Sequence, residues 1–211
     1  IDYLRKAAEK QFPDAMYLYS KAIKNKNQIE SRKYFNMSIE KGSELAIKQY
    51  GKELEENDQL DQAAKLYKSA ANRGLLTGYV KYAECITNGN ALDGDDIDLA
   101  RDLMKKAADF GEAKDQFNYV TFLTQYSYQD SASMKEKAYY SKKASEQGYV
   151  KAYFPYAECL ENGQGIEVDI DMARKYYTLS YQQDPQSLTR CILQRLINQN
   201  LIDTSIISLS G

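Results

Sequence analysis

EQGYVKA, at residues 146–152, decides the fold, because the same slot comes back all along the chain. It reads EKQFPDA at 9–15, EKGSELA at 40–46, NRGLLTG at 72–78, DFGEAKD at 109–115 and QQDPQSL at 182–188. Its third residue (Gln11, Gly42, Gly74, Gly111, Gly148, Asp184) recurs at intervals of 31, 32, 37, 37 and 36 residues. A period in the thirties marks stacked structural repeats. Physically the slot is a helix stop followed by a helix start. A glycine just past a helical run takes the left-handed conformation without a β-carbon penalty, and apolar periodicity resumes three or four residues later. Each unit is therefore two helices and two turns. Small residues precede the stop, at Ala7 and Ala8, Ala70 and Ala71, Ala107 and Ala108, Ala144 and Ser145, so that a neighbouring helix can come close.

Composition agrees with helix pairs. Of 211 residues, 43% are hydrophobic and 27% charged, and there are only 3 prolines. The net charge of −2 is too near zero to point to nucleic acid or an anionic membrane, and no apolar run approaches the roughly 20 residues of a membrane span. Residues 1–75 carry 14 basic and 11 acidic groups and residues 76–211 carry 14 and 19, a mild dipole that ordinary solvated helix faces explain. The chain opens at Ile1 inside what reads as a second helix, so a fragment of a longer chain is expected.

The expected organisation is one solenoid domain over 1–211. A half repeat (1–11) is followed by repeats at about 12–42, 43–74, 75–111, 112–148 and 149–184, then by a capping helix and tail at 185–211. Repeats two and three have tight inter-helix turns. Later repeats insert TNGNALDGDD (87–96), TQYSYQDSASMKE (124–136) and ENGQGIEVDID (161–171), where Asp169 or Asp171 is the expected N-cap. The last unit reads as a helix over Ser187 to Gln199 and an apolar tail, LIDTSIISLSG, that covers an end.

At AYFPYAECLENGQGIEVDIDMARKYYTLSYQQD (152–184) the pattern becomes specific. Tyr156 and Ala157, the loop Gly163, Gln164, Gly165 and Ile166, then Ala173 and the pair Tyr176 and Tyr177 resemble the Sel-1-like repeat, a relative of the tetratricopeptide repeat. Repeat four matches at Tyr82, Ala83, Gly89, Ala100, Ala107, Ala108 and Gly111. The Ala-Ala-x-x-Gly ending departs at Ser180, Tyr181 and Asp184. The resemblance covers about residues 3–188. It implies an all-α, right-handed α/α superhelix with a role in protein interaction, and it names no partner.

Tyrosine is over-represented, with 19 residues. One first-helix slot holds Tyr19, Tyr50, Tyr82, Tyr119 and Tyr156, and Ile23, Leu54, Ile86, Leu123 and Leu160 follow four residues later. That is helical spacing, so the rings are expected in the core, with each hydroxyl reaching an edge for a hydrogen bond. Cys85 and Cys159 fill matching slots two repeats apart, too far for a disulfide, and Cys191 has no obvious mate. Free buried thiols in a reducing compartment are expected, hence a cytoplasmic protein, with the endoplasmic reticulum lumen as the alternative.

Catalysis, cofactors and metals find little support. Histidine is absent, which removes the commonest general base and metal ligand. DGDDID (93–98) lacks the spaced ligands of a calcium loop, and the loop glycines lack the Lys-Ser/Thr of a phosphate loop. What remains is a binding surface on the first helices, which line the concave face of a solenoid. The slots two residues to either side of the tyrosine are Tyr17, Lys48, Val80, Phe117 and Phe154 on one side and Lys21, Lys52, Glu84, Thr121 and Glu158 on the other. All are expected to be exposed, with Phe117 and Phe154 as adjacent rings forming an apolar step. The expected role is a non-catalytic adaptor that holds a protein or peptide, without nucleic acid or membrane insertion. A structural block built permanently into an assembly through its convex face and loops is the second reading, and hydrolase-like activity a distant third.

Overall fold

The computed structural model describes residues 1–92, 94–126, 130–187, 190–203 and 205. Asp93, the middle of the 124–136 loop and most of the 201–211 tail lie outside the described residues, as does the Cys191 side chain. Twelve α-helices are formed among the described residues, with no strand. They fall into two compact units, 1–103 and 104–211, and the division lies inside a helix.

The first unit contains α1 (Asp2–Glu9), α2 (Pro13–Ile23), α3 (Gln28–Lys41), α4 (Glu44–Glu56), α5 (Leu60–Asn72), α6 (Leu76–Thr87) and the start of α7 (Ile97–Phe110). Neighbours in sequence pack as neighbours in space: α1 on α2, α2 on α3, α4 on α5, α5 on α6. Side chains fix the starts. Asn27 Oδ1 accepts the Glu30 N–H at 3.1 Å to begin α3, and Ser43 Oγ accepts the Ala46 N–H at 3.2 Å to begin α4. The stops behave as the sequence suggested at Gly42 and Gly74, both left-handed (φ 91° and 78°). After Gly42 the Ser43 N–H reaches back to Ser38 O at 2.8 Å, and after Gly74 the Leu75 N–H reaches Ala70 O at 3.1 Å. At Gln11 a non-glycine holds the same left-handed turn (φ 61°).

The second unit contains the rest of α7, then α8 (Ala113–Gln125), α9 (Ser131–Glu146), α10 (Tyr153–Asn162), α11 (Ile170–Gln183) and α12 (Arg190–Asn198), with short 3-10 turns at Val150–Ala152 and Pro185–Ser187. Asp169 resolves the N-cap choice: its Oδ1 accepts the Met172 N–H at 2.9 Å. Of the helix expected over Ser187 to Gln199, Arg190–Asn198 is helical and Ser187 belongs to a 3-10 turn, while residues 188 and 189 lie outside the described residues. Leu201 and Ile202 are buried in one cluster with Tyr156, Tyr177 and Leu196, so the start of the tail does cover a core. Gly111 corrects the stop rule, since it is not left-handed. A β-carbon there would lie 2.5 Å from Ala107 O and 2.4 Å from an Asp115 carboxylate oxygen, so close approach is what requires the glycine.

Tyrosines fill the core largely as predicted. Tyr19, Tyr82, Tyr119 and Tyr156 are buried, with Ile23, Leu54, Ile86, Leu123 and Leu160 beneath them. Tyr50 is the exception, only half-buried. Its follower Gly51 faces Tyr67 of α5, whose hydroxyl would stand 2.1 Å from an added β-carbon. Tyr67 and Tyr177, on second helices, are fully buried, and periodicity on the first helices gave no warning of them.

Candidate functional site

Of the residues expected on the open face, Lys21, Lys48, Lys52 and Thr121 are exposed. Lys52 pairs with Glu56 at 3.3 Å, and the Thr121 hydroxyl turns back to Phe117 O at 3.0 Å. Glu84 is half-buried and bound to Lys81 at 2.6 Å. Glu158 is half-buried, and burial raises its pKa against the pull of Lys137 and Arg195. Three aromatic expectations need correction. Tyr17 is buried, at 7% exposure, because Phe35 of the next helix closes over it. Phe117 and Phe154 are half-buried, each covered by a tyrosine: Phe117 by Tyr149 at 5.4 Å between ring centres, Phe154 by Tyr177 at 5.5 Å. They are packing rings, not an exposed apolar step.

A cleft opens instead in the first unit, between α2, α3 and α4. Its volume is about 850 Å³. Tyr17, Phe35 and Tyr50 form a row along it, with ring centres 6.2 and 6.1 Å apart. Helices α2 and α3 run antiparallel, joined where the Ser31 hydroxyl donates to Ser20 O at 2.8 Å. This brings Lys21 and Lys24 at the end of α2 beside Gln28 and Arg32 at the start of α3. The Lys21 ammonium lies 5.4 Å from the centre of the Tyr17 ring. Among the described residues, none of Lys21, Lys24 and Arg32 has a carboxylate within ion-pair distance. Glu40 stands toward the far end of α3, and the Glu53 carboxylate accepts from the Gln49 amide at 2.9 Å. The sequence signal for this place was the Tyr17/Lys21 pair; the contribution of α3 was missed.

Elsewhere, charge serves the fold. Buried tyrosine hydroxyls donate to carboxylates, which cations then cover. Tyr82 donates to Asp95, which Lys68 approaches at 2.7 Å; Tyr119 donates to Glu136 at 2.6 Å, with Lys105 also at 2.6 Å; Tyr177 donates to Glu161, with Arg195 at 2.7 Å. Tyr19 and Tyr67 make the same bond to Glu30 and Glu55, at 3.2 and 3.1 Å. Hydrogen bonds from Lys68 and Tyr82 hold the Asp95 carboxyl below its usual range. Asp96 accepts the N–H groups of Asp98 and Leu99, both at 3.1 Å, so the acidic run begins a helix. Among the described residues no three His, Cys, Asp or Glu side chains are grouped to hold a metal. Cys85 and Cys159 are buried and free, and burial pushes the Cys85 thiol up to about 11.

Helix pairs in series, the recurring stop and the tyrosine-filled joints define an all-α helical-repeat protein of the solenoid class. The Sel1 repeat model matches residues 15–43, 44–75, 78–111 and 150–185, more than half of the chain, and the chain belongs to the Sel1 repeat family. Residues 112–149 lie outside those matches, although α8 and α9 pair like the others. Among solved structures, a Sel1 repeat protein from Oxalobacter formigenes is similar at 19% identity and a TM-score of 0.59, over 82% of this chain and 71% of that one. The c5321 protective antigen of uropathogenic Escherichia coli, described as displaying an SLR fold, matches at 19% identity and a TM-score of 0.43, over 95% of this chain and 55% of that one. A search of curated proteins gave no match. Sel1-repeat proteins are generally non-catalytic scaffolds for protein interaction. Among the described residues no helix is long and apolar enough to cross a membrane.

Proposed function

We propose that this chain is a non-catalytic scaffold or adaptor that holds a protein or peptide partner along the first helices of its repeats, the concave side in the solenoid class. One observation carries the reading: an open cleft of about 850 Å³ in which three cations lack carboxylate partners among the described residues, beside a row of rings. Desolvating unpaired charge and half-covered aromatic surface is what a partner accomplishes, and such anchors dominate interface energies. On this reading Lys21, Lys48 and Lys52 steer the partner. Tyr17 acts as the floor of the cleft and Glu84 belongs to a first helix of the same unit, while Phe117, Thr121, Phe154 and Glu158 hold the equivalent first-helix slots within the second unit.

The test is chemical crosslinking in cells that make the protein, with partners identified and then rebound as purified components. A Lys21→Glu/Lys48→Glu/Lys52→Glu variant should slow association at low salt by about tenfold or more while its circular dichroism stays helical. Undiminished association, together with loss when the exposed loop residues of 161–171 are replaced, would overturn the reading in favour of a block built into an assembly through its loops.

A further inference from the structure

We infer that the α2–α3–α4 cleft takes a short, extended acidic segment of a partner protein that carries one aromatic or large aliphatic side chain. The inference rests on the scaffold reading and gives its partner a chemistry. Charge complementarity is the first argument. Lys21, Lys24 and Arg32 gather where α2 ends and α3 begins, and within ion-pair distance none of them meets a carboxylate of the described residues. A cationic ligand would face these three with only Glu40 and the already engaged Glu53 to receive it, whereas an acidic one finds partners at once.

The shape supplies the rest. Phe35 and Tyr50 are half-buried while Tyr17 lies buried beneath them, so the cleft has an aromatic floor and two partly open walls. One inserted ring or branched aliphatic chain would cover them. The amides of Gln28 and Asn36 point to an extended backbone. Both are exposed, neither has a hydrogen-bond partner among the described residues, and they stand eight positions apart on α3. Eight helical residues rise about 12 Å, the span of about four extended residues, so the two amides can hold both ends of such a stretch. Glu40, toward the opposite end of α3 from the cations, orients the segment by repelling its acids.

The probe is a short fluorescein-labelled peptide with one Phe flanked by Asp and Glu, measured by fluorescence anisotropy against the whole chain. Saturable binding that weakens as salt rises is expected, with a loss of about tenfold or more in the Lys24→Glu/Arg32→Glu variant. Replacing the Phe of the peptide by Ala should weaken binding by about fivefold or more. Lys24→Gln/Arg32→Gln serves as the milder variant if charge reversal disturbs folding, and should lie between. No saturable binding, equal binding of a peptide with Lys in place of each acid, or an unchanged Kd in both variants would overturn the inference. If the crosslinked partner is retained while the peptide fails, the scaffold reading stands and the cleft chemistry falls. If no partner is captured by any form of the chain, the scaffold reading itself falls.

Discussion

Half-buried aromatic rings meet different neighbours in the two units. In the second unit Phe117 and Phe154 are each covered by a tyrosine, from the turn after α9 and from α11. In the first unit Tyr17 is covered by Phe35, but Phe35 and Tyr50 remain partly open, and the space between the three helices persists as a cleft. A slot on a helix therefore sets direction, while the neighbouring helix decides whether the ring becomes core or surface. Two consequences of packing follow from the same residue type: stability where the ring is covered and, on the proposed function, recognition where it is not.

Removing a fully buried ring should have the largest effect. Tyr177→Ala empties a fully buried site under Phe154 and should cost about 3–5 kcal/mol in urea unfolding. A cost under about 1 kcal/mol would break the comparison at its root. Phe154→Ala, at a half-buried position, should cost about 1–3 kcal/mol. Tyr50→Ala, on the open side of the first unit, should cost less than that and instead weaken capture of an acidic peptide; the reverse order of stabilities would show that the cleft ring is core.

The smallest effect is electrostatic. The Asp95 carboxyl is held below its ordinary range by Lys68 and Tyr82, so its contribution is present above the unfolded value of about 3.9 and disappears as pH falls through the lower folded value. Asp95→Asn should therefore flatten the decline of the melting temperature on the acid side. An unaltered acid limb would show that the bond is lost on unfolding without proton linkage.

Much of the fold was legible because helix ends are local events. Gly42, Gly74, Gly148 and Asp169 act through their own backbone or their own side chain, and a single sequence displays them. The inner stripe of Ile23, Leu54, Ile86, Leu123 and Leu160 was legible for a similar reason, since helical period selects one face. Contacts between helices were not. Nothing near Tyr17 announces that Phe35 lies over it, and Gly111 looks like its relatives until Asp115 is seen to crowd it. The candidate site was half readable: Tyr17 and Lys21 lie on the predicted helix, while Arg32 and Phe35 arrive from the second helix of the same repeat.

The buried phenols also set how the protein meets base. Tyr67, Tyr140 and Tyr177 have their pKa values raised far above the ordinary range, by burial first and then by Glu55, Asp109 and Glu161 respectively. Each stays neutral in the fold but ionises near pH 10 once unfolded, so stability present below about pH 10 drains away as pH rises toward the folded values. With 19 tyrosines and no tryptophan, phenolate absorbance reports this directly. The buried set should ionise in one cooperative step that coincides with loss of helical circular dichroism.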